Sequence, residues 1–264
     1  MDIFIILDFT LNRLLKYNIE NLEFIETIVT PHYNPVSFGI MPDNDLFIYY
    51  HPKYQRGIDF KQVFILDKAG NIQTELFESE PSSKLAHGSA SNFYLYNNEM
   101  RFYLYFSNTV YTIASDSARI IYKLFFNKRE FPNQDFYLKY KSSMDAMKEL
   151  WDGNNNWIRF IQIYETDNDF MVKYYIKRDL YISAYDKGSG KTIHFKKDQV
   201  IDDIGIGGKI PLPIGIYENR IIGEIQPYEF DKQQVENNQL KELIDDFSEE
   251  DNPILAFYKL KYNQ

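Results

Sequence analysis

Short apolar runs alternate with polar turns along the whole chain. Runs of four to eight residues rich in Ile, Phe, Tyr and Val are bounded by Asn, Asp, Gly and Pro, a pattern typical of β-strands joined by tight turns. The runs fall into five groups, and the groups at the two ends of the chain are the shortest. The predicted strands are 3–8, 14–18 and 24–28; 36–40, 45–50, 63–67 and 72–77; 92–96, 101–106, 110–114 and 120–126; 157–164, 170–176, 181–186 and 192–195; and 214–217, 220–225 and 254–261.

The spacing of these groups predicts a β-propeller. A four-stranded meander that recurs about every 45 to 70 residues is typical of this fold, in which each meander is one blade. A turn motif also recurs between the third and fourth strands, at Tyr17-Asn18-x-x-Asn21 and Asp67-Lys68-x-Gly70-Asn71. A β-sandwich is the alternative, but it gives no reason for a recurring turn. We therefore predict one all-β propeller domain over residues 1–264, with four-stranded antiparallel blades near 1–30, 36–78, 91–127, 156–196 and 214–262.

Two segments have the pattern of helices. Residues 142–145 have the Ser-x-x-Asp form of a capping box and lead into apolar residues at helical spacing. Farther along, Leu240, Leu243, Ile244 and Phe247 recur at i, i+3, i+4 and i+7, as on one face of an amphipathic helix. Both segments lie between predicted strands, so we expect two short helices within inter-strand loops.

Composition and charge exclude several classes of function. The 264 residues include 29 Lys and Arg against 38 Asp and Glu, a net charge of −9, which disfavours nucleic acid as a partner. The absence of Cys excludes disulfides, thiolate nucleophiles and Cys-ligated metals. The 22 Tyr and 21 Phe favour half-buried strands. No apolar run approaches the ~20 residues of a membrane helix, so we expect no membrane span. The sequence does not by itself indicate a cellular location.

Several segments resemble a known family. Near the N-terminus these are Ile3-x-Ile5-x-Leu7-Asp8 and Leu15-Lys16-Tyr17-Asn18. In the C-terminal part they are Asp202-Asp203-Ile204, Gly207-Gly208, 214–222, Leu240-Lys241-Glu242-Leu243, Glu249-Glu250-Asp251-Asn252-Pro253-Ile254-Leu255 and Lys259-Leu260-Lys261. This pattern is similar to that of functionally uncharacterised six-bladed β-propeller proteins, NHL/TolB-like and lipoprotein-type, of Bacteroides-type bacteria.

The resemblance implies a six-bladed ring of which this chain holds about five complete or partial blades. Members of the family are usually longer, carry a lipoprotein-type signal and have an early Gly-Pro-x-Glu-Tyr-like motif that is missing here. We therefore expect a chain truncated at its N-terminus, in which the first group supplies strands two to four of its blade and the last group supplies strands one to three. An unpaired sheet edge would then invite self-association. The family location would be periplasmic or on the cell surface.

The long predicted loops are the expected place for a binding site, because loops held by a rigid scaffold often carry binding residues. They span 30–35, 51–62, 78–91, 127–156, 196–213 and 226–253, and a propeller brings such loops to one face. The candidate binding residues are His32, His51, Lys53, Tyr54, Arg56, His87, Trp151, Asp202, Asp203 and Lys209. His194 falls within a strand and is interpreted as structural.

Each candidate also has a structural interpretation. The loop histidines lack the His-x-His or His-Glu-x-x-His spacing of metal sites, so solvated loop residues are expected. A turn is expected at Asp202-Asp203 in place of a calcium or acid/base site. Trp151 and Trp157 are expected in the core, with stacking of an exposed indole on a sugar ring as the alternative. Residues 188–192 resemble a phosphate-binding loop but lack its first glycine, so they are interpreted as a turn.

No set of nucleophile, base and orienting residue can be assembled from the sequence. We therefore expect a ligand- or protein-binding propeller without catalytic residues, whose long polar and aromatic loops bind a small molecule, a glycan or a protein. The alternative is an enzyme, a metal-assisted lyase or hydrolase that uses loop His and Asp residues at the central channel. No cofactor is expected under the first hypothesis, and a channel-bound divalent cation belongs to the second.

Overall fold

A computed structural model of the chain describes residues 3–8, 10–31, 35–43, 46–50, 61–79, 92–104, 106–126, 129–197, 211–229, 234–245, 248 and 250–260. Within these ranges the strands form five antiparallel sheets, each a meander in which neighbours in sequence are neighbours in the sheet. Three sheets have four strands and two have three, so the predicted grouping of strands is confirmed. No helix in the described ranges is long and apolar enough to cross a membrane.

The sheets follow one another along the chain. The first sheet is β1 (Ile3–Asp8), β2 (Arg13–Asn18) and β3 (Phe24–Val29), and the second is β4 (Pro35–Ile40), β5 (Leu46–Tyr50), β6 (Lys61–Leu66) and β7 (Ile72–Glu78). The third is β8 (Phe93–Tyr96), β9 (Glu99–Tyr103), β10 (Thr109–Ile113) and β11 (Ala118–Lys123). The fourth is β12 (Ile158–Glu165), β13 (Asp169–Ile176), β14 (Asp179–Asp186) and β15 (Thr192–Lys196), and the fifth is β16 (Leu212–Tyr217), β17 (Arg220–Ile225) and β18 (Ile254–Tyr258).

Within the described ranges, three α-helices lie in the connections between strands. They are α1 (Gln134–Lys139) and α2 (Ser143–Asp152), both between β11 and β12, and α3 (Asn238–Ile244), between β17 and β18. The two predicted helices are confirmed, but α3 begins earlier than expected because the Asn237 side chain caps it by accepting from the Leu240 N–H. Helix α1 was not predicted. It has only six residues, and its Asn133 cap is its main local signal.

Strand boundaries agree with the prediction to within three residues. The largest differences occur where an aromatic run continues beyond the paired segment. Phe106, for example, was assigned to a strand but has a φ of 57°, a left-handed conformation that does not continue a strand. Phe126 lies beyond β11 and forms an isolated bridge with Arg129. The apolar pattern therefore located the strands correctly, but the hydrogen-bonded part of these strands ends before the aromatic run does.

The recurring turn is found in the first, second and fourth sheets. In the first sheet the Asn18 side chain accepts a hydrogen bond from the Glu20 N–H at 2.8 Å. Asp67 accepts one from the Ala69 N–H at 2.9 Å, and Asp186 accepts one from the N–H of residue 188 at 2.9 Å. Asp67 and Asp186 lie at the ends of the third strands of their sheets, and β2 ends in a similar turn. That the first sheet comprises strands two to four of its blade stays a prediction.

The chain divides into two compact units. The first comprises residues 1–160 and 176–178, and the second comprises residues 161–175 and 179–264. In the first unit, one apolar core joins the first and second sheets; it contains Leu14, Ile28, Leu46, Ile48, Phe64 and Leu66. A larger core joins the second and third sheets to α1 and α2; it contains Met41, Val63, Ile65, Met100, Phe102, Phe106, Ile113, Phe136, Tyr137, Ala146 and Leu150.

The second unit has a core between the fourth and fifth sheets. Tyr164, Met171, Ile182, Ala184 and Ile221 form its buried part. That all five sheets belong to one propeller domain stays a prediction.

One face of the first sheet and one face of the fifth stay open. Phe4, Ile6 and Phe24 share the face of the first sheet opposite its core and are 40–55% exposed. On the fifth sheet, Leu255 and Phe257 share the face opposite the core and are exposed to a similar degree. We call these two surfaces the open sheet faces. Their apolar side chains resemble those of the buried faces, so each is suited to packing against a further surface.

Candidate functional site

Helix α2 is held by a capping box at its start and a tight turn at its end. The Ser142 hydroxyl accepts a hydrogen bond from the Asp145 N–H at 3.1 Å and donates one to the Asp145 carboxylate at 2.7 Å. Ala146 and Leu150 are fully buried in the larger core of the first unit. At the other end, the Gly153 N–H donates to the Glu149 carbonyl at 2.8 Å, and a Cβ on Gly153 would fall on that oxygen. The end of α2 is therefore fixed by local sequence.

Trp151 lies at this fixed end and faces away from the core. It follows the buried Leu150, and successive residues are rotated by ~100° around a helix. The residue is 43% exposed, and the Arg159 guanidinium lies over its ring, 5.0 Å from the ring centroid. Arg159 is itself buried and donates its Nε–H to the Lys177 carbonyl at 2.7 Å. The indole is thus held by a fixed cation while nearly half of the residue stays exposed.

Polar groups surround the open indole. Asp152 accepts hydrogen bonds from Nε and Nη2 of Arg178 at 3.0 and 2.8 Å, which ties the end of α2 to the turn between β13 and β14. Residues 154–156, three consecutive asparagines, follow directly and are exposed. We call Trp151, Asp152, Arg159, Arg178 and residues 154–156 the Trp151 platform. It combines a flat apolar surface with amide, carboxylate and guanidinium groups, so it can contact a ring and hydrogen-bond the substituents at its edge.

Only one of the candidate binding residues from the sequence lies in the described ranges. That residue is Trp151, and the expectation that it is buried in the core is wrong. The same expectation is confirmed for Trp157, which packs against the larger core of the first unit. The other candidates lie outside the described residues; they are His32, His51, Lys53, Tyr54, Arg56, His87, Asp202, Asp203 and Lys209.

The hypothesis that the loop histidines bind a metal ion stays untested, because those histidines lie outside the described residues. In the part of the chain that the structure describes, no group of three or more His, Asp or Glu side chains is arranged to hold a metal ion. His194 lies in β15 as predicted, with its Nδ1 2.6 Å from the Ser183 hydroxyl on the neighbouring strand. Residues 187–191 form the turn between β14 and β15, so the resemblance to a phosphate-binding loop has no structural counterpart.

A groove of about 380 Å³ lies at the turn ends of the second and third sheets. The term turn end denotes the end of a sheet that carries its first-to-second and third-to-fourth strand turns. Its lining combines apolar and polar residues: Met41, Pro42, Asp43, Asn98, Glu99, Met100, Thr112, Ile113, Ala114, Ser115, Ser117 and Arg119. Sequence reasoning missed this groove, because it expected binding residues only in the long loops, which join strands at the opposite end of each sheet.

Two charged side chains of the groove differ in their contacts: Glu99 is paired, whereas Arg119 has no partner among the described residues. Glu99 pairs with Arg101, and its Oε2 also accepts a hydrogen bond from the Thr112 hydroxyl at 3.3 Å. Arg119 lies opposite Thr112 on the neighbouring strand and is exposed. Among the described residues, Arg119 makes no hydrogen bond, ion pair or ring contact. Its guanidinium is therefore available to an anionic group in the groove.

A buried lysine in the second unit anchors the first strand of the fifth sheet. Lys173 Nζ and the Tyr164 hydroxyl both donate to the Pro213 carbonyl, at 3.0 and 2.7 Å. Burial, reinforced by the charge of Lys197, lowers the pKa of Lys173 to about 8. Because both side chains donate to a backbone carbonyl, the role of this cluster is structural.

Comparison with known proteins agrees with this architecture. A sequence model of a family described as 6-bladed beta-propeller matches residues 1–224. A solved structure of a Bacteroides fragilis protein, described as exported, superposes with a TM-score of 0.81 at 18% identity and covers 98% of this chain and 74% of that chain.

A second solved structure, of virginiamycin B lyase from Staphylococcus aureus, has a TM-score of 0.35 at 13% identity. It covers 81% of this chain and 56% of that chain, and the two structures are too different for a conclusion about this chain. No curated protein matches the chain. The family match includes four of the five sheets and most of the fifth, and the strand order is that of successive antiparallel blades. The chain therefore belongs to the 6-bladed beta-propeller family.

Proposed function

We propose that the protein is a non-catalytic binding module that recognises a glycan at the Trp151 platform. The observation that carries the proposal is the half-exposed indole of Trp151, fixed by the buried guanidinium of Arg159. A large apolar side chain that is both exposed and held in place loses little freedom when a ligand covers it. Such a surface is suited to binding more than to packing.

The surroundings of the indole favour a sugar over a purely apolar ligand. A pyranose ring presents C–H groups on its face and hydroxyls at its edge. The indole can cover the face, while Asp152, Arg178 and residues 154–156 offer acceptors and donors to the hydroxyls. The exposed ion pair between Asp152 and Arg178 contributes about 0–1 kcal/mol to stability, so its side chains can reorient toward a ligand at low cost.

The location of the similar protein supports the choice of ligand. The Bacteroides fragilis protein is described as exported. We include in the proposal that this protein is also exported, to the periplasm or the cell surface, where soluble and polymeric glycans are met. The enzyme hypothesis depends on His32, His51 and His87, and no described observation favours it.

The test is a screen of the purified protein on a glycan array, followed by calorimetric titration of the strongest ligand. We expect Trp151→Ala to weaken binding about tenfold or more, equivalent to roughly 1.4 kcal/mol of lost stacking. The matched control is Phe125→Ala, which removes another exposed aromatic, 81% exposed, from the same connection between β11 and β12. This variant should bind as the wild type does.

Two results would contradict the proposal. One is an array without any bound glycan. The other is a bound glycan whose affinity is the same for the wild type and for Trp151→Ala, because the site would then lie elsewhere. The melting curve of Phe125→Ala should match that of the wild type, whereas Trp151→Ala should melt at a slightly lower temperature, because it loses the ring contact with Arg159.

The open sheet faces support a second proposal, self-association. Each carries aromatic side chains in contact with one another, such as Tyr217 and Phe257 at a centroid distance of 6.1 Å. In the described ranges, β1 and β18 are edge strands of their sheets. Exposed apolar faces beside unpaired strands favour association with a further sheet.

A further inference from the structure

We propose that the groove at the turn ends of the second and third sheets is a second ligand site, which takes a free amino acid or dipeptide with an apolar side chain. Its volume of about 380 Å³ lies within the range of small-molecule pockets, roughly 300–1,000 Å³. The site is independent of the Trp151 platform, which lies in the connection from β11 to β12.

The cationic part of the groove is suited to a carboxylate. Arg119 presents a planar, permanently charged fork that matches the geometry of a carboxylate, and it has no partner among the described residues. The hydroxyl of Ser115 lies in the same lining and can donate to the same anion, whereas the Ser117 hydroxyl already donates to Asp116 at 2.7 Å.

The acidic part of the groove is suited to an ammonium group. Asp43 and Glu99 belong to the lining, and Glu99 also pairs with Arg101. The net charge of Asp43, Glu99, Arg101 and Arg119 together is therefore close to zero. A carboxylate accepts up to about four hydrogen bonds, so Asp43 and Glu99 can accept from an ammonium while keeping their present contacts. A zwitterion satisfies both parts of the groove, whereas a simple anion or cation satisfies one.

The floor between these charged parts is apolar. Met41, Met100 and Ile113 line the groove and belong to the larger core of the first unit, which keeps them in place. Pro42 and Ala114 are exposed in the same lining, so an apolar side chain of the ligand can cover them, directly above the buried methionines. These three features together indicate the class of ligand.

The methionines also provide the readout. The chain has six Met residues, so a spectrum of the protein labelled with ¹³C at the Met methyl groups contains few signals. Met41→Leu and Met100→Leu assign the two groove signals. On titration with L-leucine and with L-leucyl-L-leucine, we expect the Met41 and Met100 signals to shift. The signals of Met144, 77% exposed on α2, and of Met171, buried in the second unit, should not move.

Three changes test the assigned contacts. Arg119→Gln should raise the dissociation constant about tenfold or more, because it removes a charge-assisted contact. It should not change the melting temperature, because Arg119 makes no contact within the described fold. N-acetylation or C-terminal amidation of the dipeptide should weaken binding by a similar factor. The matched control is Arg220→Gln, which removes an exposed arginine of the fifth sheet and should leave the titration unchanged.

The outcomes separate the alternatives. The proposal is overturned if leucine and the dipeptide leave the Met41 and Met100 signals unmoved at 10 mM, a concentration that would fill about 90% of a site with a dissociation constant of ~1 mM. It is also overturned if Arg119→Gln binds as the wild type does, or if the signals of Met144 and Met171 move equally. Stronger shifts with the dipeptide than with leucine would assign the site to peptides, and the reverse would assign it to free amino acids.

Discussion

At the scale of single residues, several charged side chains hold backbone and turns in place. Lys173 donates to the Pro213 carbonyl, and Lys187 donates both to Glu165, whose side chain is fully buried, and to the Thr166 carbonyl. Asp67 and Asp186 accept hydrogen bonds within their turns, and these bonds lower the pKa of both carboxyls. These charges therefore act within the scaffold and leave the exposed Arg119 and Arg178 for contact with other molecules.

Lys173 predicts an increase in stability with pH. Its pKa is about 8 in the folded protein and ~10.4 in an unfolded chain, so between these values the unfolded chain binds more protons. Unfolding free energy should therefore rise from pH 8 toward pH 10. Above pH ~10 it should fall, because burial raises the pKa of Tyr164 and Tyr258 and only the unfolded chain then ionises them.

The measurement is a series of urea unfolding curves at pH 7.5, 8.5 and 9.5. Lys173→Met keeps the length of the side chain but removes the titrating group, so we expect the rise with pH to be absent. Lys241→Met, an exposed lysine on α3, is the control and should keep it. An equal slope in the wild type and in Lys173→Met would show that Lys173 is not the source.

At the scale of elements, one kind of turn recurs in the first, second and fourth sheets. It uses an Asn or Asp at the end of the preceding strand and a later residue in the left-handed conformation. In the second and fourth sheets that residue is Gly70, with a φ of 87°, and Gly190, with a φ of 71°. The two positions differ in what surrounds them.

Gly70→Ala should be more destabilising than Gly190→Ala. Both changes place a Cβ in the left-handed region, which costs roughly 1–2 kcal/mol. At Gly70 the Cβ would also lie 2.6 Å from Cγ2 of the buried Ile28, whereas nothing lies within 4 Å of it at Gly190. We expect Gly70→Ala to cost at least about 1 kcal/mol more, because the first and second sheets must move apart.

Thermal unfolding of the two variants and the wild type provides the comparison. Because the turns are matched, the difference between the variants reports the contact with Ile28 alone. Similar losses of stability would mean that the first and second sheets do not approach at Gly70 as closely as described.

At the scale of the whole molecule, the described sheets leave apolar surface that a six-bladed ring would use. The open faces of the first and fifth sheets have the apolar character of blade faces that are buried elsewhere. Three-stranded sheets with an apolar open face need a further surface to cover them. This surface is a property of each sheet and does not depend on how the two units are arranged.

We predict that the purified chain associates in a concentration-dependent manner through these faces. The double change Phe4→Lys and Phe257→Lys should abolish or strongly reduce the association, because a lysine on an open face or edge opposes sheet pairing. Sedimentation velocity over a hundredfold range of concentration measures the effect. Ile193→Lys, on the outer strand β15 of the fourth sheet, is the control for added charge. Association that persists in the double variant would contradict the prediction.

The strands and their grouping could be predicted from the sequence because their signals are local. The aromatic and branched runs, the turn residues and the recurring Asn or Asp act over a few neighbouring residues, and a strand needs no more than that to be recognised. Helix α2 was predictable for the same reason, since Ser142 and Asp145 form its capping box within one turn.

The candidate sites were less predictable, because they depend on contacts between distant segments. Whether Trp151 is buried or exposed depends on which face of α2 meets the core, and Arg159 reaches its ring from a different element. The groove required the β4–β5 turn to lie beside the ends of β9, β10 and β11. No local pattern reports such a juxtaposition, so the prediction that binding residues occur only in long loops missed it.

The sequence by itself determined the all-β class, the strands, their division into five groups and the recurring turn. These properties follow from side-chain periodicity and turn chemistry, which act between near neighbours. Only the tertiary structure decided that Trp151 is exposed above Arg159, that Arg119 enters a groove and that Lys173 is buried against Pro213. Burial, charge and accessibility depend on the packing of sheets that are far apart in the chain, and this packing sets the chemistry of every candidate site.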